Sequence, residues 1–534
     1  MKSNYLSELQ SRRSFLRQAA CAAVGSLATR NCIRDLRLIN RAVAQSGVSG
    51  YKALICVFQN GGNDSNNLII PTIASEYQNY ATIRTPAVAQ PSCGDYSTAP
   101  SNGAYTLALK TGPTSATNYT DAQGHNYGFH PAMPELRTLF NNKQCAVLLN
   151  VGSLCYPITT AQYFAHSVPV PPQLFSHADQ QAQWQTSIPD QPPTSGWAGR
   201  IGDLFTSDSI NGSNPGISMA VTLAGSNLFE VGNNNLAPQY SVTTNGAVSL
   251  NGTITGDRDT AFTSILSADS GAGMADLQTK TYASVVSQAI SEATSVTTQL
   301  NSNASASWLS NFPVSNQIST PNGGTQKFTS SLMAQMRMVA RLIDIGARPS
   351  SPTYGMGMTR QIFFVQVGGY DTHTLQTGNA GQTTTNNAAV IIGNQANLLA
   401  EISQSMNALM GAVSTPGFGG TPTGSGTGLA TSVTAFTVSD FARTFPSNGT
   451  GSDHGWGGHH VIVGGAVNGG ATYGTLPVLT VGGPSDTGTG RWIPTTSVDE
   501  YAATLAAWFG VSTGNIPTIF PNINRFATTN LGFI

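Results

Sequence analysis

Residues 51–58 (YKALICVF) are almost wholly apolar and give way at once to NGGND (60–64). A short apolar run closed by turn-forming residues predicts a strand buried on both faces, as in a parallel sheet. The same signature recurs at 145–151, at 362–367 before GGYD (368–371), and at 433–438 before Ser439 and Asp440. Shorter apolar runs at 461–463 and 479–481 predict two further strands.

Between these strands the period changes. Leu332, Met336, Val339 and Ile343 line one face of a helix ended by Gly346 and Pro349, and Leu398, Ile402, Met406 and Leu409 line another. Further helices are expected at 131–140, at 176–184 with Ser176 as N-cap, within the Ala/Ser/Gln-rich 270–312, and at 498–509. Residues 206–260, rich in Gly, Asn and Thr, predict a β-rich insertion, and 84–127 an irregular excursion. Strands alternating with helices define an α/β fold: a mostly parallel sheet flanked by helices on both faces, with a β/α insertion at approximately 206–330.

Only 9% of the 534 residues are charged, while 40% are hydrophobic. Recurrent apolar segments exclude disorder as the meaning of the low charge. The polar surface is therefore built from Ser, Thr, Asn, Gln and Gly.

At the amino end, SRRSFLR (11–17) precedes a weakly apolar run at 19–28. This resembles a twin-arginine export signal, and it is too short for a stable membrane span; a basic amphipathic helix is the plainer alternative. Ala42-Val43-Ala44 offers a cleavage site, which divides the chain into a leader at 1–44 and a domain at 45–534. Removing the leader's eight basic and two acidic residues from the chain's 24 and 25 leaves 16 and 23, a net charge of −7. Such a protein has no general attraction for nucleic acid or anionic lipid, and no other segment reads as a membrane span. The expected setting is periplasmic or secreted, reached in folded form through the twin-arginine export machinery. Cys56 is expected as a buried thiol, whereas Cys93 and Cys155, in loop-like sequence, are open to pairing in an oxidising compartment. No CxxC spacing supports a cysteine zinc site.

Three of the strands end at a carboxylate in or beside a tight loop: Asp64, Asp371 and Asp440. Ligands bind beyond the carboxyl ends of strands in open α/β sheets, so parallel neighbours would bring these groups to one edge. His373 follows Asp371 by two residues, and SDHGWGGHH (452–460) crowds Asp453, His454, His459 and His460 into one glycine-rich turn. Aspartates with neutral imidazoles suit zinc, manganese or iron, and one or two such divalent ions serve hydrolysis of a phosphoryl or sulfuryl group. His459 and His460 are adjacent and point opposite ways on an extended segment, so one of them is the candidate ligand. Arg443 presents a planar fork for an oxyanion or for a carboxylate partner.

The blocks GGNDSNN (61–67), FHPAMPEL (129–136), SHADQQAQW (176–184), GWAGR (196–200), GGYDTHTLQ (368–376), SDFARTF (439–445) and SDHGWGGHHVIVGGAVNGG (452–470) together resemble the signature blocks of DUF1501 proteins. That resemblance implies the alkaline phosphatase/sulfatase-like superfamily, with a two-metal hydrolytic site in many members. Asp64 then resembles a metal aspartate, Ser176 the hydroxyl nucleophile, and Asp371 with His373 the first metal's Asp/His pair. Where a second Asp-His pair normally stands, this chain reads Asp440-Phe441; Asp453 with His454 would replace it, and His459 or His460 would supply the last ligand.

Each residue has a plainer role open to it. Asp64 can stabilise its own turn, Asp440 can cap a helix from Phe441 onward, and Ser176 can be an N-cap. His177 can support the site or lie at the surface, and His130 can fix a loop. Trp197 and Arg200 can anchor packing. The sequence thus supports an exported metal-dependent hydrolase acting on a small anionic ester, a phosphate or sulfate. The alternative is a non-catalytic secreted binding or assembly protein that keeps the fold with one ion or none.

Overall fold

The computed structural model describes Val48 and residues 50–84, 107–212, 216–248, 256–269, 277–319, 325–376, 394–421 and 428–534. The chain divides into two units, Met1–Val48 and Ser49–Ile534. The expected leader, its cleavage site and Cys93 lie outside the described residues.

Ten strands form the central sheet: β1 (Lys52–Gln59), β2 (Cys145–Gly152), β3 (Ala220–Thr222), β4 (Tyr240–Thr243), β5 (Gly246–Ala247), β6 (Arg360–Val367), β7 (Val433–Ser439), β8 (Gly458–Gly464), β9 (Thr472–Tyr473) and β10 (Thr496–Ser497). They lie in the order β9-β2-β8-β7-β1-β6-β3-β4-β5, with β10 beside β2. The central strand β1 is parallel to both neighbours, with Leu54 level with Ile362 on β6 and Thr434 on β7. β8 is antiparallel to β7 and to β2, so the two reversals return β2 to the direction of β1. The segment joining β7 to β8 contains no helix that could carry a parallel crossover, so the chain turns back on itself there. As a result the carboxyl ends of β1, β2, β6 and β7 and the amino end of β8 share one edge.

The alternation of β1 shows why its apolar run is continuous. Ala53, Ile55 and Val57 enter one core, while Leu54, Cys56 and Phe58 enter the other. The first core is covered by helices α1 (Pro134–Asn141), α3 (Ser331–Ala347) and α4 (Asn394–Ser414). The second is covered by α2 (Trp197–Ser207) and α5 (Val498–Phe509). α5 starts where the sequence places it because Ser497 and Glu500 form a reciprocal capping box, each side chain accepting from the other's backbone N–H. Arg200 anchors α2 by donating to the carbonyl oxygens of Ile519, Ser195 and Thr186.

Within the 206–330 stretch, β3, β4 and β5 extend the main sheet beyond β6. One expectation changes. Residues 479–481 form no strand; Leu479 packs on the cluster around Ile70, Tyr77 and Tyr80, but Val478 and Val481 are exposed and Pro477, Gly482 and Gly483 hem the segment. Cys56, Cys145 and Cys155 are buried free thiols. Among the described residues no helix is long and apolar enough to cross a membrane.

Candidate metal centre

The loops after β1, β6 and β7 pack onto one another at the common edge. Gly61 and Gly62, with φ of +116° and +82°, occupy left-handed conformations that other residues rarely adopt. A Cβ on Gly61 would lie 2.5 Å from the Asp371 backbone nitrogen, and one on Gly62 would lie 2.4 Å from the Phe441 ring. The GG pair thus lets the β1 loop sit between the β6 and β7 loops and fixes where Asp371 stands.

Asp371 is the centre of the cluster. Its Oδ1 accepts from Arg443 Nη1 at 2.8 Å and faces His373 Nε2 at 3.1 Å and His454 Nε2 at 3.4 Å. Its Oδ2 faces His177 Nε2 at 3.6 Å. His177, Asp371 and His454 each offer a donor atom within 4.8 Å of the others, so this cluster is able to hold a metal ion. Donors about 2.1 Å from a common ion stand roughly 3.0–3.4 Å apart, which the 3.4 Å Asp371–His454 pair meets.

Each imidazole is fixed through its other nitrogen. Nδ1 of His177 lies 2.6 Å from Asp440 Oδ2, Nδ1 of His373 lies 3.1 Å from Asp453 Oδ1, and Nδ1 of His454 lies 2.7 Å from the Phe175 carbonyl oxygen. Carbonyls and carboxylates only accept, so the shorter contacts place the hydrogen on Nδ1 of His177 and His454 and leave a lone pair on their Nε2; His373 stands 3.1 Å from a carboxylate at both nitrogens. His373 Nε2 and His454 Nε2 are only 2.8 Å apart. An Nε2 hydrogen on His373 makes this a hydrogen bond to the His454 lone pair, and a metal at His454 would take that lone pair instead. The donor set of His177, Asp371 and His454 fits a metal, with acceptors on both Nδ1 atoms in the arrangement that commonly orients metal-binding histidines. Phe441 packs against both His177 and His454, with ring centroids 4.8 and 4.6 Å away, which accounts for an aromatic residue after Asp440.

Burial opposes ionisation of Asp371, but the Arg443 guanidinium, His373 and His177 outweigh it and hold the carboxyl below its usual range. The Asn448 amide does the same for Asp453, aided by His373. Burial pulls His454 below the ordinary imidazole range, which favours the neutral, ligating form. In formal charge, the three carboxylates of Asp371, Asp440 and Asp453 outnumber the guanidiniums of Arg443 and of Arg491, which donates to the His454 carbonyl. The site opens to solvent: the Asp371 and His373 side chains are 47% and 42% exposed.

The remaining candidates lie elsewhere. Asp64 is fully buried against Arg84, and its carboxylate also takes the Gln376 amide. Asp440 is not a helix cap, since no helix follows it; its Oδ2 accepts from Gly61 N, His177 and Gln181. Asp440 therefore supports a histidine rather than joining the donors around Asp371. Ser176 is the N-cap residue of the helix at His177–Thr186 but makes no side-chain capping bond; its hydroxyl donates to Asp179. Arg443 is fully buried, with Nη2 on the Ser452 carbonyl and Nη1 on Asp371 and the Gly61 carbonyl, so its fork is not free for an oxyanion. His459 and His460 belong to β8 and point into packed surroundings. His459 Nδ1 accepts from Asn150 N, and His460 packs between Trp184 and Tyr501. Burial pulls them down to about 4 and about 3. His130 Nδ1 accepts from Ala132 N and so fixes its own loop.

His177 is the donor that the strand-end pattern does not single out. Its signal was present in SHADQQAQW, a histidine opening a helix after the β2 crossover, opposite an Asp440 that has no histidine next to it. Fold and site together define an α/β protein with a mixed, mostly parallel sheet and a His/Asp cluster at the strand carboxyl ends. No family model, curated protein or solved structure matches the chain.

Proposed function

We propose that the chain is an exported metal-dependent hydrolase related to the DUF1501 proteins, with the alkaline phosphatase-like form of the α/β fold, acting on a phosphate or sulfate ester. One observation carries the reading: the Nε2 atoms of His177 and His454, each freed by an acceptor on Nδ1, are turned toward the Asp371 carboxylate at an open sheet edge, with His373 Nε2 beside them. His177, Asp371 and His454 would hold the ion, with His373 beside them. Zinc, manganese and iron suit nitrogen and oxygen donors, and a bound ion supplies Lewis acidity toward an ester oxygen. Ser176 is engaged with Asp179, so we assign the attack to water rather than to the serine. Asp440, Asp453 and the Phe175 carbonyl keep the three rings oriented.

Metal analysis of protein purified without chelator, together with hydrolysis of aryl phosphates and aryl sulfates, tests the proposal. One ion per chain is expected, with hydrolysis lost on chelation and in H177A. Hydrolysis that survives both treatments would sink it.

The Arg443–Asp371 contact favours a second reading, because the guanidinium already occupies part of the place a cation would take. In that reading the chain is a non-catalytic secreted binding or assembly protein with a structural ion or none. An absent ion with no hydrolysis, or an ion whose removal unfolds the chain, selects it.

A further inference from the structure

We infer that Arg491 grips the anionic oxygens of the ligand at this site, making the chain selective for a tetrahedral oxyanion, phosphate or sulfate, over a neutral ester. The ligand class rests on the proposed hydrolysis; the placement of Arg491 does not.

Arg491 sits in a turn built around Asp486. The buried Asp486 carboxylate accepts from the backbone N–H groups of Gly482, Gly488 and Arg491 itself, at 2.8, 2.8 and 2.9 Å. Asp486 therefore holds the arginine's backbone and does not neutralise its guanidinium. Among the described residues Arg491 forms no ion pair.

The guanidinium is nevertheless held against the backbone of His454. Nε donates to the His454 carbonyl oxygen at 2.8 Å, and Cζ lies 4.5 Å from the Phe175 ring centroid. The Phe175 carbonyl is the group that fixes His454 Nδ1. Phe175 adopts φ of +72°, an unfavourable conformation for an aromatic residue. From that conformation its carbonyl reaches His454 while its ring lies under Arg491. One strained residue thus ties the arginine to a candidate metal ligand.

With Nε used, the two terminal nitrogens have no protein acceptor among the described residues. Such a fork matches two oxygens of a phosphate or sulfate. Arg443 is buried with both terminal nitrogens engaged, so Arg491 is the guanidinium at this edge with donors to spare.

The test is binding of inorganic phosphate and sulfate to the full chain by titration calorimetry, with and without added metal. R491Q, whose amide can still donate to the His454 carbonyl, should weaken phosphate binding roughly tenfold or more with metal content unchanged, and R491K should weaken it less. Phosphate should also protect Arg491 of the unmodified chain from phenylglyoxal labelling read by mass spectrometry, a measurement that needs no variant to fold. Phosphate affinity unchanged in R491Q, no phosphate binding by the unmodified chain, or labelling indifferent to phosphate would each overturn the inference. Arg491-dependent phosphate binding in a chain that hydrolyses nothing would uphold it while removing the hydrolase reading. Aryl phosphate hydrolysis with KM unchanged in R491Q would do the reverse.

Discussion

His177 Nδ1 stands 2.6 Å from Asp440 Oδ2, and this contact decides which nitrogen of the ring faces Asp371. Asp440 Oδ2 is itself held by Gly61 N–H at 3.1 Å and the Gln181 amide at 3.0 Å, so the acceptor is fixed before the imidazole arrives. Removing it frees the ring to rotate or to adopt the other tautomer. D440A should lose about tenfold to a hundredfold in metal affinity, the usual effect of deleting such a partner, and D440N should lose less because it keeps an acceptor. Titration with a divalent metal measures this; an unchanged affinity in D440A would show that the contact orients nothing.

Asp64 and Arg84 make a fully buried ion pair away from the cluster. Breaking such a pair from one side leaves a charge uncompensated in the interior, typically at a cost of about 3–5 kcal/mol. D64N should therefore lower the free energy of unfolding in urea by that order while metal stoichiometry stays the same. Loss of the ion in a folded D64N protein would instead return Asp64 to the ligand set.

Ser176 tests the nucleophile. Its hydroxyl donates to Asp179 at 2.6 Å and makes no capping bond, so S176A should cost under about 1 kcal/mol of stability and leave ester hydrolysis unchanged. A collapse of turnover in S176A with the ion still bound would restore the serine to the chemistry.

Burial holds His459 near 4 and His460 near 3, against an ordinary value of 6.5. The unfolded chain therefore binds protons that the folded chain does not as pH falls below 6.5. Stability from these groups is complete above that value and declines toward pH 4, at about 1.4 kcal/mol per pH unit for each histidine. H460F, which keeps an aromatic ring between Trp184 and Tyr501, should make urea unfolding shallower in pH by close to one proton over that window. An unchanged slope would mean that His460 is not kept neutral by burial.

Much of this was legible before any coordinates. Continuous apolar runs closed by GGND, GGYD and SD gave β1, β6 and β7, and their adjacency brings Asp371, His373, Asp453 and His454 together. The direction of β8 was not legible, because an apolar run carries no sign of strand polarity; only the helix-free connection before it does. His177 was obscured because a histidine beginning a helix looks the same whether it faces solvent or a distant carboxylate. Asp64 and Asp440 were recognised as strand-end carboxylates, but their partners Arg84 and His177 lie 20 and 263 residues away. No local pattern reports those pairings. Residues 479–481 misled for the opposite reason: β-forming side chains were there, and Leu479 is packed, but among the described residues no strand lies beside them to pair with.

The cluster has no local owner. His177 follows β2, Asp371 follows β6, and His454 lies between β7 and β8, so the three donors are spread over 278 positions and meet only through the sheet. A chain interrupted before residue 454 would possess most of the fold's strands and no complete binding site. Capture of an ion would thus act as a checkpoint on assembly, reporting that the last crossovers had closed.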